Sequence, residues 1–544
     1  MARFTYLLTL CSLATANIIA NVPASASVNA SQTLDGFVSF SIEFASFPDF
    51  AGKSVARRNL SHPNEFSNNL LNNLGKLAGR KPYIRVGGNT QDYAIYNPDL
   101  TIALNGTVNV TRSPDYPTTI EIGPSYFESY LTWPDVKFSH GFNLGGNHDS
   151  RVHATLLQTA ALACKTLGKE KLLLWEYGNE PDLYATSSQG PVRPSDYSEA
   201  DYVSEWLNGT RSIKSVIAKT CPDMVGNSTY GYLAPSFGGT GNHLKAPIAW
   251  ADGLDVDNVI RLYSTHNYID GAEVPGVTLQ GTLMNHTRTQ LSVAPHLDEF
   301  AEISPSAPGL VQIMGEMNSL YNQGKPGLSN SFGAALWGVD FNLYCASVGI
   351  RRTHMHMGTN YRYAAWQPVT TDLEVLGTKA PYYGNIAVAA FLGDTAVSVA
   401  PAELVASSSG SEPEVGVQDS AYLAFVRDEL ARIVLINMRA YNYTLNGTGD
   451  LDTLNPAARP VRTYTVALPG VEEGREAVVR RLQANGSDAI TGVTWDGTSY
   501  NYELDLGKPV QLHNVTTGER VVVKNGAVEI RVPDSEAALV DFEI

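Results

Sequence analysis

The sequence predicts a (β/α)8 TIM barrel followed by a C-terminal antiparallel β-sandwich, and three observations carry that expectation. From about Phe37 to Gly358, short β-rich runs alternate with longer helix-compatible stretches, the signature of βα units. Several of these runs end in polar or ionisable residues, as barrel strands do where their loops build a site. Beyond about Pro381 the pattern changes to short alternating runs with tight turns, which suits a sandwich. At 544 residues the chain can hold a barrel and a smaller module, and no solenoid-period repeat competes with that division.

In order along the chain, the barrel strand candidates are FVSFSIEF (from Phe37), YIRVGG (Tyr83), KFSHGFNL (Lys137), KLLLWEYGN (Lys171), GYLAPSF (Gly231), VIRLYSTHNY (Val259), LVQIMGEMN (Leu310) and GIRRTHMHMG (Gly349). Helical periodicity marks ATLLQTAALACKTLG (Ala154) and SFGAALWGVDFNLYCASVG (Ser331). The polar strand ends are Glu43, Asn89, Asn143, Asn179-Glu180, His266, Glu316 and His356. The sandwich candidates are AYLAFVRD (Ala421), ARIVLINMRA (Ala431), RTYTVALPG (Arg462), EAVVRRLQA (Glu476) and RVVVKNGAVEIRV (Arg520), the last with Asn525-Gly526 as a hairpin signal. Residues 1–26 read as a leader, 27–380 as the barrel and 381–544 as the sandwich, to which 28–34 add a strand.

The leader expectation rests on Arg3, an apolar run from Phe4 to Leu13, and small residues at Ala14 and Ala16. That pattern predicts a secretory signal peptide cut near Ala16 or Ala26, and hence an extracellular protein. Sequons at Asn29, Asn59, Asn105, Asn109, Asn208, Asn227, Asn285, Asn442, Asn446, Asn485 and Asn514 are glycosylation candidates in an exported chain. Cys11 leaves with the leader, so Cys164, Cys221 and Cys345 allow at most one disulfide, whose members the sequence leaves open. A formal net charge of −16 argues against a nucleic-acid or anionic-membrane partner. No later stretch is apolar enough for a membrane span.

Two carboxylates organise the chemistry. WEYGNEP ends the fourth run at Glu180, and VQIMGEMNS ends the seventh at Glu316, so a barrel turns both towards one pocket. Facing carboxylates are what glycoside hydrolysis requires: one stays protonated for the leaving oxygen, and the other attacks the anomeric carbon. Their environments must push the two pKa values apart, and the apolar run Leu172 to Trp175 is an expected shelf beside one of them. Asn179 is placed to hold the sugar 2-OH, with Gly178 and Pro181 fixing the turn. From the residues alone, the reading is a retaining glycosidase without a cofactor.

Four motifs extend it. WEYGNEP, GEMNSLYNQG (Gly315), YIRVGGNTQDY (Tyr83) and NYRYAAWQP (Asn360) occur in the order of glycoside hydrolase family 79, the family of heparanase and the β-glucuronidases, which this chain resembles from about Phe37 to its end. The resemblance implies that Glu180 is the acid/base, Glu316 the nucleophile and Asn179 the 2-OH ligand. Glu43 and Asn89 match pocket-lining positions at which heparanase carries Asp and Thr. Tyr321 with Gln323 and Gly324 matches a turn that grips the uronate carboxylate through a hydroxyl and backbone N–H groups, so no basic pair is required. Tyr268, His356 and Tyr363 complete the implied pocket.

The implied activity is an exo-β-D-glucuronidase releasing glucuronate or its 4-O-methyl form from glycans such as arabinogalactan-type chains. Alternatives are a heparanase-like endo-enzyme, another retaining β-glycosidase, and a carbohydrate-binding protein without catalysis. The acidic charge disfavours a sulfated polyanion, and basic residues cluster only in short pairs such as Arg57-Arg58 and Arg351-Arg352. His354 and His356 share one strand face but lack evident further ligands, so no metal is expected. FGGTGNH (Phe237) reads as a pocket-side loop, and Trp366 is the aromatic residue to watch as a sugar platform.

Overall fold

Eight stretches whose side chains alternate between two buried faces close into one parallel barrel. The computed structural model describes residues 17–23, 30–52, 62–187, 190–226, 229–406, 415–447 and 453–543. Its barrel strands are β1 (Val38–Glu43), β2 (Ile84–Gly87), β3 (Phe138–Phe142), β4 (Leu172–Tyr177), β5 (Tyr232–Phe237), β6 (Ile260–Gly271), β7 (Val311–Tyr321) and β8 (Thr353–Met357). All eight coincide with the expected runs. They pair in sequence order, with β8 back on β1, so every strand C-terminus opens on the same face.

Helices follow every strand but one. They include α1 (Glu65–Ala78), α2 (Val152–Lys171), α3 (Glu199–Thr220), α4 (Ala246–Ala251), α5 (His286–Ile303), α6 (Phe332–Ser347) and α7 (Ala380–Leu392). Between β2 and β3 the expected helix is replaced by a three-stranded sheet of Ala94–Tyr96, Leu104–Thr107 and Thr119–Ile122, then a 3-10 stretch over Pro124–Leu131. This insert matters because its loop, residues 108–118, reaches the mouth of the barrel.

The sandwich lies against α6 and α7. Its larger sheet includes Asp419–Val426, Glu429–Asn437, Glu536–Asp541 and Glu476–Gln483, and is buried on both faces. Leu423, Phe425, Ile433, Leu435, Ala538 and Val540 point into the sandwich. The alternate residues Tyr422, Ala424, Val434, Ile436, Ala537 and Leu539 join the core shared with the barrel helices. Covered by the barrel on one side and this sheet on the other, α6 and α7 are apolar around almost their whole circumference. Among them Asp340 is held by His286 (2.9 Å) and the Tyr422 hydroxyl (2.8 Å).

Three expectations change. The boundary at 380 cuts ahead of the helix of the eighth unit, since α7 completes the last βα unit and carries the barrel to Leu392. Asn525-Gly526 does form a tight turn, with Lys524 and Ala527 exchanging backbone hydrogen bonds, but its arms do not make one hairpin. Glu519–Val522 pairs with Glu476–Gln483 in the larger sheet, whereas Ala527–Pro533 pairs with Val461–Ala467 in the smaller. The turn therefore carries the chain across the sandwich edge.

The third change concerns the N-terminus. Ser31–Gln32 does add a short strand, beside Ser398–Pro401. In addition, Asn17–Asn21 is an interior strand of the smaller sheet, between Glu403–Ala406 and Val461–Ala467, with Ile18 and Ala20 fully buried. A cut near Ala26 would remove it; a cut near Ala16 would leave it. Residues 1–16 and 24–29 lie outside the described set. Cys164 of α2 and Cys221 at the end of α3 form the disulfide (Cα–Cα 6.2 Å), and Cys345 is buried and free. No described helix is long and apolar enough to cross a membrane.

Candidate active site

Leu174, Leu233, Leu262 and Ile313 with Leu34 form an apolar plug at the N-terminal end of the barrel interior. Above it the strands turn small or charged residues inward. Arg85 of β2, fully buried, gives Nε and Nη2 to the two oxygens of Glu176 on β4 (2.8 and 3.1 Å). Its Nη1 donates to Ser41 Oγ (2.9 Å) and Glu316 Oε2 (2.5 Å), and Nη2 to Asn179 Oδ1 (2.8 Å). One guanidinium thus fixes three elements of the site. Charges at inward positions of otherwise apolar strand runs were the available signal for Arg85 and Glu176, and the sequence reading passed over both.

Glu180 and Glu316 face each other over this platform. A carboxylate oxygen of each, with a ring nitrogen of His266, lies within 4.8 Å of the others. Glu180 adopts a left-handed conformation (φ 49°, ψ 50°), and its N–H donates to Ser236 O (3.0 Å). Its carboxyl pairs with His266 Nδ1 (3.0 Å). A Cβ on Gly238 would stand 2.9 Å from the Glu180 carboxyl carbon, so only glycine leaves room there. Glu316 accepts from the Tyr268 hydroxyl (2.7 Å) on Oε1, while Oε2 holds Arg85 and lies 3.5 Å from His356 Nδ1.

The electrostatics of the two carboxyls diverge. Burial and the facing Glu316 raise Glu180 well above the carboxylate range. Burial opposes ionisation of Glu316 too, but His356, Arg85 and the Tyr268 hydroxyl outweigh it and hold the group ionised. The expected apolar shelf is not the cause, because Leu172 to Trp175 lie towards the closed end of the barrel, away from Glu180. Burial pushes His266 down to about 4, keeping it neutral, whereas Glu316 and Glu43 outweigh burial at His356 and raise it. Under Glu180, Asp182 accepts from Gly238 N (2.8 Å) and Asn242 Nδ2 (2.8 Å). Asp92 accepts from Asn179 N (2.8 Å) and the Tyr184 hydroxyl (2.5 Å).

A cavity of about 600 Å³ opens over the pair. Glu43, Asn89, Asn179, Glu180, Tyr268, Glu316, Tyr321, Gln323, His356 and Tyr363 all line it. Glu43 is anchored by Thr90 N (2.9 Å), Thr90 Oγ1 (2.5 Å) and the Tyr361 hydroxyl (3.1 Å). Asn89 Oδ1 accepts from Asn179 Nδ2 (3.1 Å), and Tyr268 and Tyr363 touch through their hydroxyls (3.5 Å). Gly324 is the exception among the named residues: its N–H is already given to Leu320 O (3.1 Å), leaving Asn322 and Gln323 to present theirs. Arg112 also lines the cavity, so a cation is present where none was thought necessary. Tyr116 shares that wall, donated by the same insert.

Other candidates fall elsewhere. Asn143 serves the backbone of Ala94 and Gly146, and Trp366 is buried in the core with Nε1 on Ser67 Oγ (2.9 Å), not exposed to sugar. Gly238 and Asn242 of the FGGTGNH loop do line the cavity. Arg352 is buried over the Tyr83 ring (4.1 Å) rather than flanking the cleft; Arg57 and Arg58 lie outside the described residues. His354 is buried with neither ring nitrogen bonded. Glu180, His266 and Glu316 could reach a single ion, but the Arg85 guanidinium already supplies positive charge at Glu316.

Of the sequons, Asn105, Asn109, Asn208, Asn446, Asn485 and Asn514 are exposed, and Asn442 is partly buried. Asn285 caps α5, accepting from Arg288 N while Nδ2 donates to Gly281 O (3.3 Å), so its amide is engaged. Asn29, Asn59 and Asn227 lie outside the described residues.

A TIM barrel bearing a β-sandwich, with two unlike carboxyls facing across a cavity at the strand ends, is the architecture of a glycoside hydrolase. The chain belongs to glycoside hydrolase family 79. The description "Glycosyl hydrolase family 79 C-terminal beta domain" matches residues 421–539. The chain is 53% identical to a β-glucuronidase of Neurospora crassa, with 100% of both chains covered. It is 52% identical to a β-glucuronidase of Aspergillus niger, covering 96% of this chain and 93% of that one. A solved 4-O-α-L-rhamnosyl-β-D-glucuronidase of Fusarium oxysporum shares the fold, with a TM-score of 0.73 at 23% identity over 96% of this chain and 100% of that one.

Proposed function

We propose that the protein is a secreted, retaining exo-β-D-glucuronidase in which Glu316 is the nucleophile and Glu180 the acid/base. The observation that carries the reading is the pair itself: oxygens of the two groups within 4.8 Å, one carboxyl held protonated and the other ionised. Retaining enzymes place their carboxyls about 5 to 5.5 Å apart, whereas inverting ones need about 6.5 to 9.5 Å to admit a water. The names of the relatives supply the glycone.

In the first step ionised Glu316 attacks the anomeric carbon while Glu180 gives its proton to the departing oxygen. A covalent glucuronyl-enzyme results. Glu180, now ionised, then takes a proton from water, which displaces Glu316 and releases glucuronate with its anomeric configuration kept. Asn179, held by Arg85 and Asp92, faces the cavity where the sugar 2-OH would bind. Tyr321 and the Asn322 and Gln323 N–H groups serve the uronate carboxylate.

Glu43, Tyr363 and the turn after β7 line one side of the cavity, which favours cutting at a chain end. The surface charge disfavours sulfated polyanions, so neutral glycans ending in glucuronate or its 4-O-methyl form, arabinogalactan-type chains among them, are the substrate class. Export is supported by the leader pattern and by a disulfide, which persists in an oxidising compartment. The leader would then be cut ahead of Asn17.

The test is initial rates on matched aryl β-D-glucuronide and β-D-glucoside, with Glu180→Gln and Glu316→Gln as controls, and NMR of the first anomer released. A glucuronide preference, β-anomer first, and loss of turnover in Glu316→Gln are expected. A glucoside preference would sink the glycone assignment, and release of the α-anomer would sink the double displacement.

A further inference from the structure

The turn after β7 is held in an unusual shape by a residue that never touches the cavity centre. Asn322, Gln323 and Gly324 are all left-handed (φ 62°, 61° and 78°), a conformation that non-glycine residues adopt only at a cost. Their three carbonyls converge on one residue. Arg362 Nη2 donates to Asn322 O (3.4 Å), Arg362 N to Gln323 O (2.9 Å) and Arg362 Nε to Gly324 O (3.2 Å).

A trans peptide points its C=O and N–H in opposite directions. With the Asn322 carbonyl drawn to Arg362, the Gln323 N–H is turned the other way. The Tyr321 carbonyl accepts from Ala272 N (3.1 Å), which likewise orients the Asn322 N–H. Neither N–H has an acceptor among the described residues, and Tyr321, Asn322 and Gln323 line the cavity. Successive N–H groups in this arrangement form a concavity that receives an anion.

Arg362 is itself pinned. Asp115, on the insert that replaces the helix after β2, grips it with both oxygens (2.5 and 2.9 Å), and the Asp115 side chain is only 6% exposed. The pair spans from the second barrel unit to the turn after the seventh strand. Because Asp115 cancels the guanidinium charge, what Arg362 contributes to the turn is the orientation of its peptide groups.

We propose that Asp115 and Arg362 form a clasp that sets the anion-receiving geometry of the Asn322–Gln323 turn, making them specificity-determining positioning residues for the carboxylate of an acidic sugar. The inference rests on the glucuronidase reading above.

The experiment compares kcat and KM on aryl β-D-glucuronide and aryl β-D-glucoside for the wild type, Arg362→Ala, Arg362→Lys and Asp115→Asn, with thermal melting as a fold control. Arg362→Ala should lower the glucuronide-to-glucoside ratio of kcat/KM at least about 10-fold, mainly through KM for the glucuronide, with the glucoside rate retained. Arg362→Lys keeps the charge but loses the planar fork, and should fall with it. Asp115→Asn should move the ratio in the same direction by less. Equal losses on both substrates, an unchanged ratio, or a wild-type ratio in Arg362→Lys would overturn the clasp. A wild type without glucuronide preference would instead overturn the glycone reading on which it stands.

Discussion

The interior of the sandwich and the interior of the barrel are filled by opposite chemistries. Between the sandwich sheets Leu423, Phe425, Ile433, Leu435, Val528, Ile530 and Val540 interdigitate, and burial of apolar area is the stabilising term. Inside the barrel the equivalent space above the plug holds Arg85, Glu176, Glu316, His266, His354 and His356, all from barrel strands, with Glu180 just beyond the end of β4. Such groups cost desolvation, and an ion pair in low dielectric at best recovers it. The barrel can carry them because its outward strand faces pack on the helices and α6 and α7 are further covered by the sandwich. Stability and chemistry are thereby assigned to different surfaces of the same strands.

Arg85→Met should break that arrangement most severely. It leaves Glu176 and Glu316 buried without their cation, and should cost about 3 to 5 kcal/mol of stability and about 10²- to 10³-fold in kcat, read by denaturant unfolding and initial rates. The double variant Arg85→Met/Glu176→Met sharpens the comparison. It should regain most of the lost stability while remaining poorly active, and a double variant no more stable than the single one would refute the idea that the pair is kept for function. In the sandwich, Phe425→Ala should cost about 3 to 5 kcal/mol with kcat unchanged.

Smaller effects test the neighbours of the carboxyls. Tyr268→Phe removes one donor from Glu316 and should lower kcat by about 10-fold while shifting stability by roughly 0.5 to 1.5 kcal/mol. The pH profile carries a sign. Glu180 is raised, so its acid form is lost only on the alkaline side, and that limb should lie above the ordinary carboxylate range; Glu180→Gln should abolish it. Last, N-terminal sequencing of the exported chain should find Asn17 or an earlier residue first, because Asn17–Asn21 is an interior strand; a mature chain starting at 27 would contradict it.

Much of this was legible along the chain. Strand periodicity located all eight barrel strands, and the polar residues closing the expected fourth and seventh runs singled out Glu180 and Glu316 before any contact was known, although β7 runs on past Glu316 to Tyr321. Periodicity is a local property, set by which face of a strand is buried, so one sequence carries it. The sequons and the cysteine positions were equally local, although which two cysteines pair was not.

What only the tertiary structure decided is what depends on partners far apart in sequence. Arg85 meets Glu316 across 231 residues, and Arg362 meets Asp115 across 247. Asn17–Asn21 finds its neighbours at Glu403–Ala406 and Val461–Ala467, and the Asn525-Gly526 turn sends its arms into different sheets. A carboxyl at a strand end has the same local sequence whether it is ionised or protonated. Its state is fixed by what the closing of the barrel brings to it: for Glu316, His356 and Arg85; for Glu180, burial and Glu316 itself.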